Sequence, residues 1–327
     1  MALPMDTLLI STNFFGYPQE IVKALAARGR AALWHDDRPA ADTMTKALVR
    51  LSPKLIQRRS DQYFERIFAA AAQHDIRDIL VIKGEALSVD AIRRMRAMFP
   101  KARLTLYFWD SYRNMPKGSE QKVDLFDRAF SFDVEDVKAD RRLTYRPLFY
   151  IEKYADVSAV EQDIDILFLG TAHSDRVTVL DRIARAVPPG YDFRKILYAR
   201  SGLLHRIQNV TSAPYRRTDE RDFIFTPIPK AEVQKLVGRT RIVLDIERDV
   251  QTGFTMRTIE MLGASRKLIT TNPSIVEADF YHPQNQCHVD REAPVIDPAF
   301  LDMPWHPQDP ALLKRYSLTG WLDEVLG

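Results

Sequence analysis

Gly253, Arg257 and Glu260 form the most specific chemical pattern in the chain. They follow a short apolar run at 242–244 and a polar loop that begins at Asp245, and the spacing predicts a helix opening around Thr255. A helix start offers unpaired backbone N–H groups and the positive end of the helix dipole, which together favour an anionic group such as a nucleotide diphosphate. Gly253 lets the backbone come close to a ligand. Arg257, in the first turn, suits bidentate contact with a phosphate. Glu260, one turn on, suits acceptance of hydrogen bonds from a pair of sugar hydroxyls. The plainer reading of the same spacing is an Arg–Glu pair at i,i+3 on a helix surface.

A second pattern is ILFLGTAHSDR, in which an apolar run ends in Gly170, a polar turn holds Thr171 and His173, and Arg176 opens the next helix. A strand, a glycine turn and a helix start make a phosphate-binding geometry. His173 on its own reads as a solvated loop residue. In the first half, Asp110 follows the aromatic-rich run LTLYFW, and Arg113 follows it. A carboxylate at a strand's C-terminal end can serve as general base toward an acceptor hydroxyl, or simply cap the turn. Asn13, Tyr17 and Glu20 lie beyond the first strand and belong to the same acceptor side.

Metal chemistry finds little support. Cys287 lies near His282 and His288, but the spacing matches no common zinc site. Asp163-Ile164-Asp165 precedes a strand, the wrong end for a ligand site. We therefore expect no metal and no cofactor beyond a nucleotide-sugar substrate.

The elements that must position these residues alternate between strand and helix. Strands are expected at 7–11, 31–34, 79–82, 104–109, 129–132 and 143–147, with helices at 19–28 and 88–99. A polar segment at 153–163 reads as a linker. The pattern then restarts with strands at 164–169, 193–198, 223–225, 242–244 and 268–271, and ends in one helix over 309–326. Such alternation implies βαβ units and parallel sheets. The expected fold class is α/β, with two Rossmann-like domains, 1–155 and 156–327, facing each other across a cleft. The last helix is expected to close the second domain. Ligands of such sheets bind outside the C-terminal ends of the strands.

Length and composition agree. The chain has 327 residues, 46% of them hydrophobic and 28% charged, which suits a soluble enzyme of two domains. A single cysteine excludes an intrachain disulfide. The N-terminal apolar stretch has no basic region before it and reads as a first strand, so a cytoplasmic protein is expected. Residues 1–155 carry 26 Lys and Arg against 20 Asp and Glu, whereas the remainder carries 21 against 24. The basic half is the expected side for an anionic acceptor. Lys46, Arg50, Lys54, Arg58 and Arg59, interleaved with Met44, Leu48 and Leu51, suggest an amphipathic element that associates peripherally with the inner membrane. Nucleic acid is not an expected partner.

The stretch QTGFTMRTIEMLGASRKLITTN resembles the donor-binding region of GT-B glycosyltransferases. The similarity is greatest to the CgeB-like and capsular or exopolysaccharide transferase group, whose Gly-x-x-x-Arg-x-x-Glu pattern is matched by Gly253, Arg257 and Glu260. The segments VIKGEAL, LYFWDS and FDRAFSFDVEDV resemble the acceptor domain of that group. The resemblance implies metal-independent transfer of a sugar from a nucleotide-sugar donor to a hydroxyl of a polysaccharide, glycolipid or similar acceptor. It places the ribose on Glu260 and the donor near Gly170, Thr171, His173 and Arg176. Thr252 stands where retaining relatives with two glutamates eight positions apart carry the first of them. That points to inversion, with Asp110 as base. A two-lobed sugar or nucleotide sensor and a nucleotide-sugar epimerase are the alternatives.

Overall fold

The computed structural model describes residues 5–39, 53–157, 159–173, 175–247 and 252–327. The chain divides into two compact units, Met1–Leu148 with Leu318–Gly327, and Phe149–Ser317.

The first unit is a six-stranded parallel sheet. Its strands are β1 (Met5–Ser11), β2 (Ala31–His35), β3 (Asp78–Ile82), β4 (Arg103–Phe108), β5 (Arg128–Ser131) and β6 (Thr144–Tyr145), in the order β2-β1-β3-β4-β5-β6. β1 and β3 are buried over almost their whole length, and their apolar runs, at 8–10 and 79–82, suit strands covered on both faces. Helices α1 (Tyr17–Ala27), α2 (Pro53–Ala71), α3 (Val89–Met98) and α4 (Val134–Ala139) follow these strands. Phe64 and Phe68 of α2 and Ala91, Ile92 and Met95 of α3 pack with Leu8, Ile10, Val81 and Leu106 in one apolar cluster. Ser88 caps α3 by accepting a hydrogen bond from the Ala91 amide at 3.0 Å.

The helix Leu318–Leu326 belongs to this unit too, which corrects its expected place at the end of the second domain. The Trp321 ring stands 4.8 Å from that of Tyr107. The fully buried Arg146 pairs with Glu324 at 2.9 Å. The single helix expected over 309–326 is two helices, Pro310–Tyr316 and Leu318–Leu326, because Ser317 leaves helical backbone for an extended conformation. Most of the basic stretch from Met44 to Lys54 lies outside the described residues or side chains, whereas Arg58 and Arg59 stand exposed on α2. Among the described residues, no helix is long and apolar enough to cross a membrane.

The second unit repeats the architecture. It begins with a short helix, α5 (Glu152–Ala155), inside the segment expected to be linker. Its strands are β7 (Ile164–Thr171), β8 (Phe193–Tyr198), β9 (Phe223–Ile224), β10 (Thr240–Asp245), β11 (Lys267–Thr270) and β12 (Gln286–His288), all parallel, in the order β12-β11-β10-β7-β8-β9. The helices between and after them are α6 (Arg176–Ala186), α7 (Gly202–Thr211), α8 (Ala213–Arg217), α9 (Lys230–Gly238), α10 (Met256–Gly263), α11 (Pro298–Asp302) and α12 (Pro310–Tyr316). The polar strand β12 was not expected. Gly263 ends α10 against the Tyr150 ring, and a Cβ there would lie 2.3 Å from Tyr150 Cγ. Gly263→Ala is therefore expected to destabilise this unit by about 1–3 kcal/mol, the usual cost of overpacking. A urea midpoint equal to that of the parent would show that the ring moves aside freely.

Candidate functional site

The strand order reverses between β7 and β10 in the second unit. From β7 the chain moves outward through β8 and β9, and then returns to β7's other side as β10. The chain therefore leaves β7 and β10 toward opposite sides at their C-terminal ends, the place where open α/β sheets bind ligands. Gly170, Thr171, His173 and Arg176 lie on one side of this switch point, and Gly253, Arg257 and Glu260 on the other.

Arg176 ties the two loops together. Its Nε donates to the Ile246 carbonyl at 3.0 Å and its Nη1 to that of Thr171 at 3.2 Å. Its guanidinium is thus engaged with backbone oxygens of both loops. Gly170 makes room for this strap. A Cβ there would meet the Phe168 ring at 2.9 Å and Arg176 Nη1 at 3.4 Å. Thr171 is the last residue of β7, and His173 is half-buried in the turn.

Thr255 caps α10, its hydroxyl oxygen accepting from the Thr258 amide at 3.2 Å. The Thr255 and Thr258 hydroxyls both donate to Asp245 Oδ2, so the end of β10 anchors the helix start. Asn272, just past β11, donates to the Thr252 carbonyl at 3.3 Å and holds the approach to Gly253. The N-terminus of α10 is thereby fixed at the ends of two strands. Arg257 and Glu260 are paired at 3.0 Å, as their spacing allows. The pair is not a surface one, since Glu260 is buried and Arg257 nearly so. Tyr154 of α5 packs beside it. Burial, and then the Glu260 charge, push the Tyr154 hydroxyl well above its ordinary value.

Two residues at this edge were not anticipated. Glu247 is buried, and its carboxylate accepts from the hydroxyls of Thr270 at 3.3 Å and Thr271 at 3.2 Å. Burial, and then the nearby Asp245, raise its pKa to about 8. Arg291, in the loop after β12, donates from Nη1 to the Glu247 carbonyl and to Thr271 Oγ1, each at 3.0 Å, and from Nη2 to Asp175 at 2.7 Å. Arg291 follows a strand with no apolar run, so periodicity gives no sign of it. Among the described residues no group of His, Cys, Asp and Glu is placed to hold a metal ion. Asp163 and Asp165 lie at the N-terminal end of β7, where they pair with Arg239 and Arg241.

The first unit has its own switch point, between β1 and β3. Lys83, directly after β3, takes left-handed backbone (φ 70), and so does Gly84 (φ 64). A Cβ at Gly84 would lie 2.9 Å from Val81 Cγ1, so the turn requires glycine. The turn aims Lys83 Nζ at Glu85, 3.0 Å away, and at Asp110 Oδ2, 2.6 Å away. Beneath them Asp37 accepts from Thr12 Oγ1 at 2.9 Å and from the Glu85 amide at 3.2 Å. Lys122 donates to the Gly84 carbonyl at 2.8 Å. Burial first, and then Glu85, raise the Asp37 pKa to about 6, and burial lowers that of Lys122 to about 8. For Lys83 burial opposes the charge, but Asp110 and Glu85 outweigh it and hold the amine above its ordinary value.

Asp110 is thus the exposed end of a buried charge network whose other members, Asp37, Lys83, Glu85 and Lys122, were not singled out from sequence. Asn13 is exposed at the same edge, and its amide donates to Asp36 at 3.1 Å. Tyr17 is buried with its ring 5.6 Å from that of Trp109, so it supports this edge from within. Glu20 is half-buried on α1. Arg113 is exposed on the turn after β4, where its charge acts on Asp136.

No family model matches the chain, and no curated protein matches it in sequence. Solved structures do match. A glycosyltransferase from Rickettsia africae superposes with a TM-score of 0.65 at 10% identity, over 99% of this chain and 97% of that one. Anabaena HepE in complex with UDP and glucose gives 0.61 at 11%, over 98% and 99%. A putative UDP-N-acetylglucosamine 2-epimerase from Listeria monocytogenes gives 0.55 at 12%, over 100% and 95%. Likeness at such identities shows the fold: the chain has the two Rossmann-like α/β units of the GT-B type.

Proposed function

We propose that the chain is a glycosyltransferase that moves a sugar from a nucleotide-sugar donor to a hydroxyl of a polysaccharide, glycolipid or similar acceptor. The observation that carries this reading is the start of α10, capped by Thr255, anchored by Asp245 and flanked by Arg257, beside the switch point of the second unit. Its amide N–H groups and dipole favour a diphosphate and would stabilise the charge that develops on it as the glycosidic bond breaks. Arg257 adds a cation within the same turn. The second unit then holds the donor and the first holds the acceptor, with Asp110 as base in an inverting, metal-independent transfer. The fold shared with HepE, solved with UDP and glucose, makes UDP the first nucleotide to test.

A thermal-shift series against nucleoside mono- and diphosphates tests the donor site. A nucleotide at 100 times its Kd stabilises by about 2.7 kcal/mol. Arg257→Ala is expected to weaken that nucleotide by about 1.5–3 kcal/mol, roughly 10- to 150-fold. The ligand-free midpoint is recorded alongside, since the variant leaves Glu260 without its cation. Unchanged nucleotide affinity in the variant would refute the assignment.

The likeness to a putative epimerase keeps a second reading in play. Released nucleoside diphosphate marks transfer or hydrolysis, whereas an intact nucleotide sugar with an altered sugar marks epimerisation.

A further inference from the structure

Helix α7 and its flanks carry a surface that the donor and acceptor assignments leave unused. The inner face of α7 is anchored by His205, buried with its ring 4.2 Å from that of Phe223. The outer face is apolar. Leu203, Ile207 and Val210, at i, i+4 and i+7, are 72%, 52% and 76% exposed, and Leu204 beside them is exposed as well. Phe225, also exposed, has its ring close to the start of the helix at Gly202. One ten-residue helix thus presents a continuous apolar stripe to solvent, which a soluble surface seldom does without a partner.

The stretch of chain that carries the stripe holds charge of one sign. Between Asp192 and Asp219 the chain holds Arg194, Lys195, Arg200, Arg206, Arg216 and Arg217 and no acid, although residues 156–327 as a whole carry more acids than bases. Arg194, Lys195 and Arg217 pair with acids elsewhere, at Asp192, Asp222 and Asp181. Arg200 and Arg206 are exposed, and Arg206 is one turn from both Leu203 and Val210. A second copy docking by the same patch would bring like charges together. An anionic bilayer surface answers both features, since its headgroups attract the arginines and its acyl boundary takes the apolar stripe.

We propose that α7 docks the second unit on anionic lipid, with Leu203, Ile207 and Val210 entering the interface and Arg200 and Arg206 against the headgroups. The test is sedimentation of the full chain with phosphatidylcholine vesicles, with and without phosphatidylglycerol, at low and high salt. Binding is expected only with phosphatidylglycerol, and weaker at high salt. Arg200→Gln and Arg206→Gln are each expected to weaken it about fivefold. The triple change Leu203→Ser, Ile207→Ser, Val210→Ser is expected to abolish it, with the circular dichroism and any nucleotide-induced thermal shift of the parent retained. Tryptophan emission of Val210→Trp is expected to move to the blue on these vesicles. No vesicle binding at low salt overturns the proposal. Binding that all these variants retain also overturns it and moves the contact to the basic stretch near Arg58 and Arg59. So does a dimer that the triple variant dissociates in the absence of vesicle binding.

Discussion

Replacing Asp110 with asparagine should leave donor binding intact and remove most of the turnover. In an inverting transfer the acceptor oxygen bonds to the anomeric carbon as the bond to the diphosphate breaks. The hydroxyl proton must pass to a base within hydrogen-bond reach, and such a base contributes about 10²–10⁴-fold. Asp110 is one-third exposed at the C-terminal edge of its sheet, and Lys83 Nζ lies 2.6 Å from its Oδ2. In the proposed mechanism Oδ1 is the oxygen that takes the acceptor's proton. Asparagine keeps a polar carbonyl for Lys83 but cannot take the proton. Lys83 keeps Glu85 as its counter-ion, 3.0 Å away, so the variant is expected to fold. The thermal shift by the donor nucleotide should match that of the parent. The product's anomeric configuration, read from NMR coupling, should be opposite to the donor's. A folded variant with near-parental turnover, or a product that retains the donor configuration, would remove Asp110 from the mechanism.

Glu247→Gln should raise the stability of the second unit at alkaline pH and change it little in acid. The folded pKa of Glu247, about 8, lies above its ordinary value of 4.5. Below the ordinary value both folded and unfolded chains hold the proton, and the folded state has its full stability. As pH rises toward 8 the unfolded chain gives the proton up first, so stability falls through that window. At about 1.4 kcal/mol for each pH unit of separation, the loss is on the order of 3–5 kcal/mol once pH passes the folded pKa. Glutamine imitates the protonated side chain and does not titrate. The difference in thermal midpoint between variant and parent should therefore be small near pH 4.5 and large near pH 8.5. Asp37, with its pKa raised to about 6, adds a slope of the same sign to both proteins and cancels in the difference. Equal midpoints at high pH would mean that Glu247 ionises without cost where it sits. A variant less stable at every pH would mean that its hydrogen bonds to Thr270 and Thr271 require the carboxyl group.

Residue types and spacing revealed most of the strands and the Arg257–Glu260 pair on a single helix. β7 is legible because a strand covered on both faces must be apolar at successive positions, as Ile164, Ile166, Leu167 and Phe168 are. Arg257 and Glu260 are legible as a pair because three residues on a helix bring two side chains together whatever surrounds them. β12 is not legible. Gln286-Cys287-His288 has no apolar pattern, and only backbone pairing with β11 makes it a strand, which in turn carries Arg291 into place. The break at Ser317 is hidden for the opposite reason. Leucines continue on either side of it, so periodicity sees one helix where the chain leaves one unit for the other.

Local sequence thus determined the alternating α/β architecture, the helix start that suits a diphosphate, and the position of Asp110 after its strand. Tertiary structure alone decided what those groups are bonded to. Asp37, Lys83, Glu85, Asp110 and Lys122 come from loops up to 85 positions apart, and they share one charge network because β1 lies between β2 and β3. Arg176 looks free in the sequence, yet the placement of β10 beside β7 puts the Ile246 carbonyl within its reach. Side-chain periodicity reports which face of an element is buried. It carries no record of which strand will lie alongside, and that neighbour sets the partners, the burial and the proton affinity of every charged group at the sheet's edge.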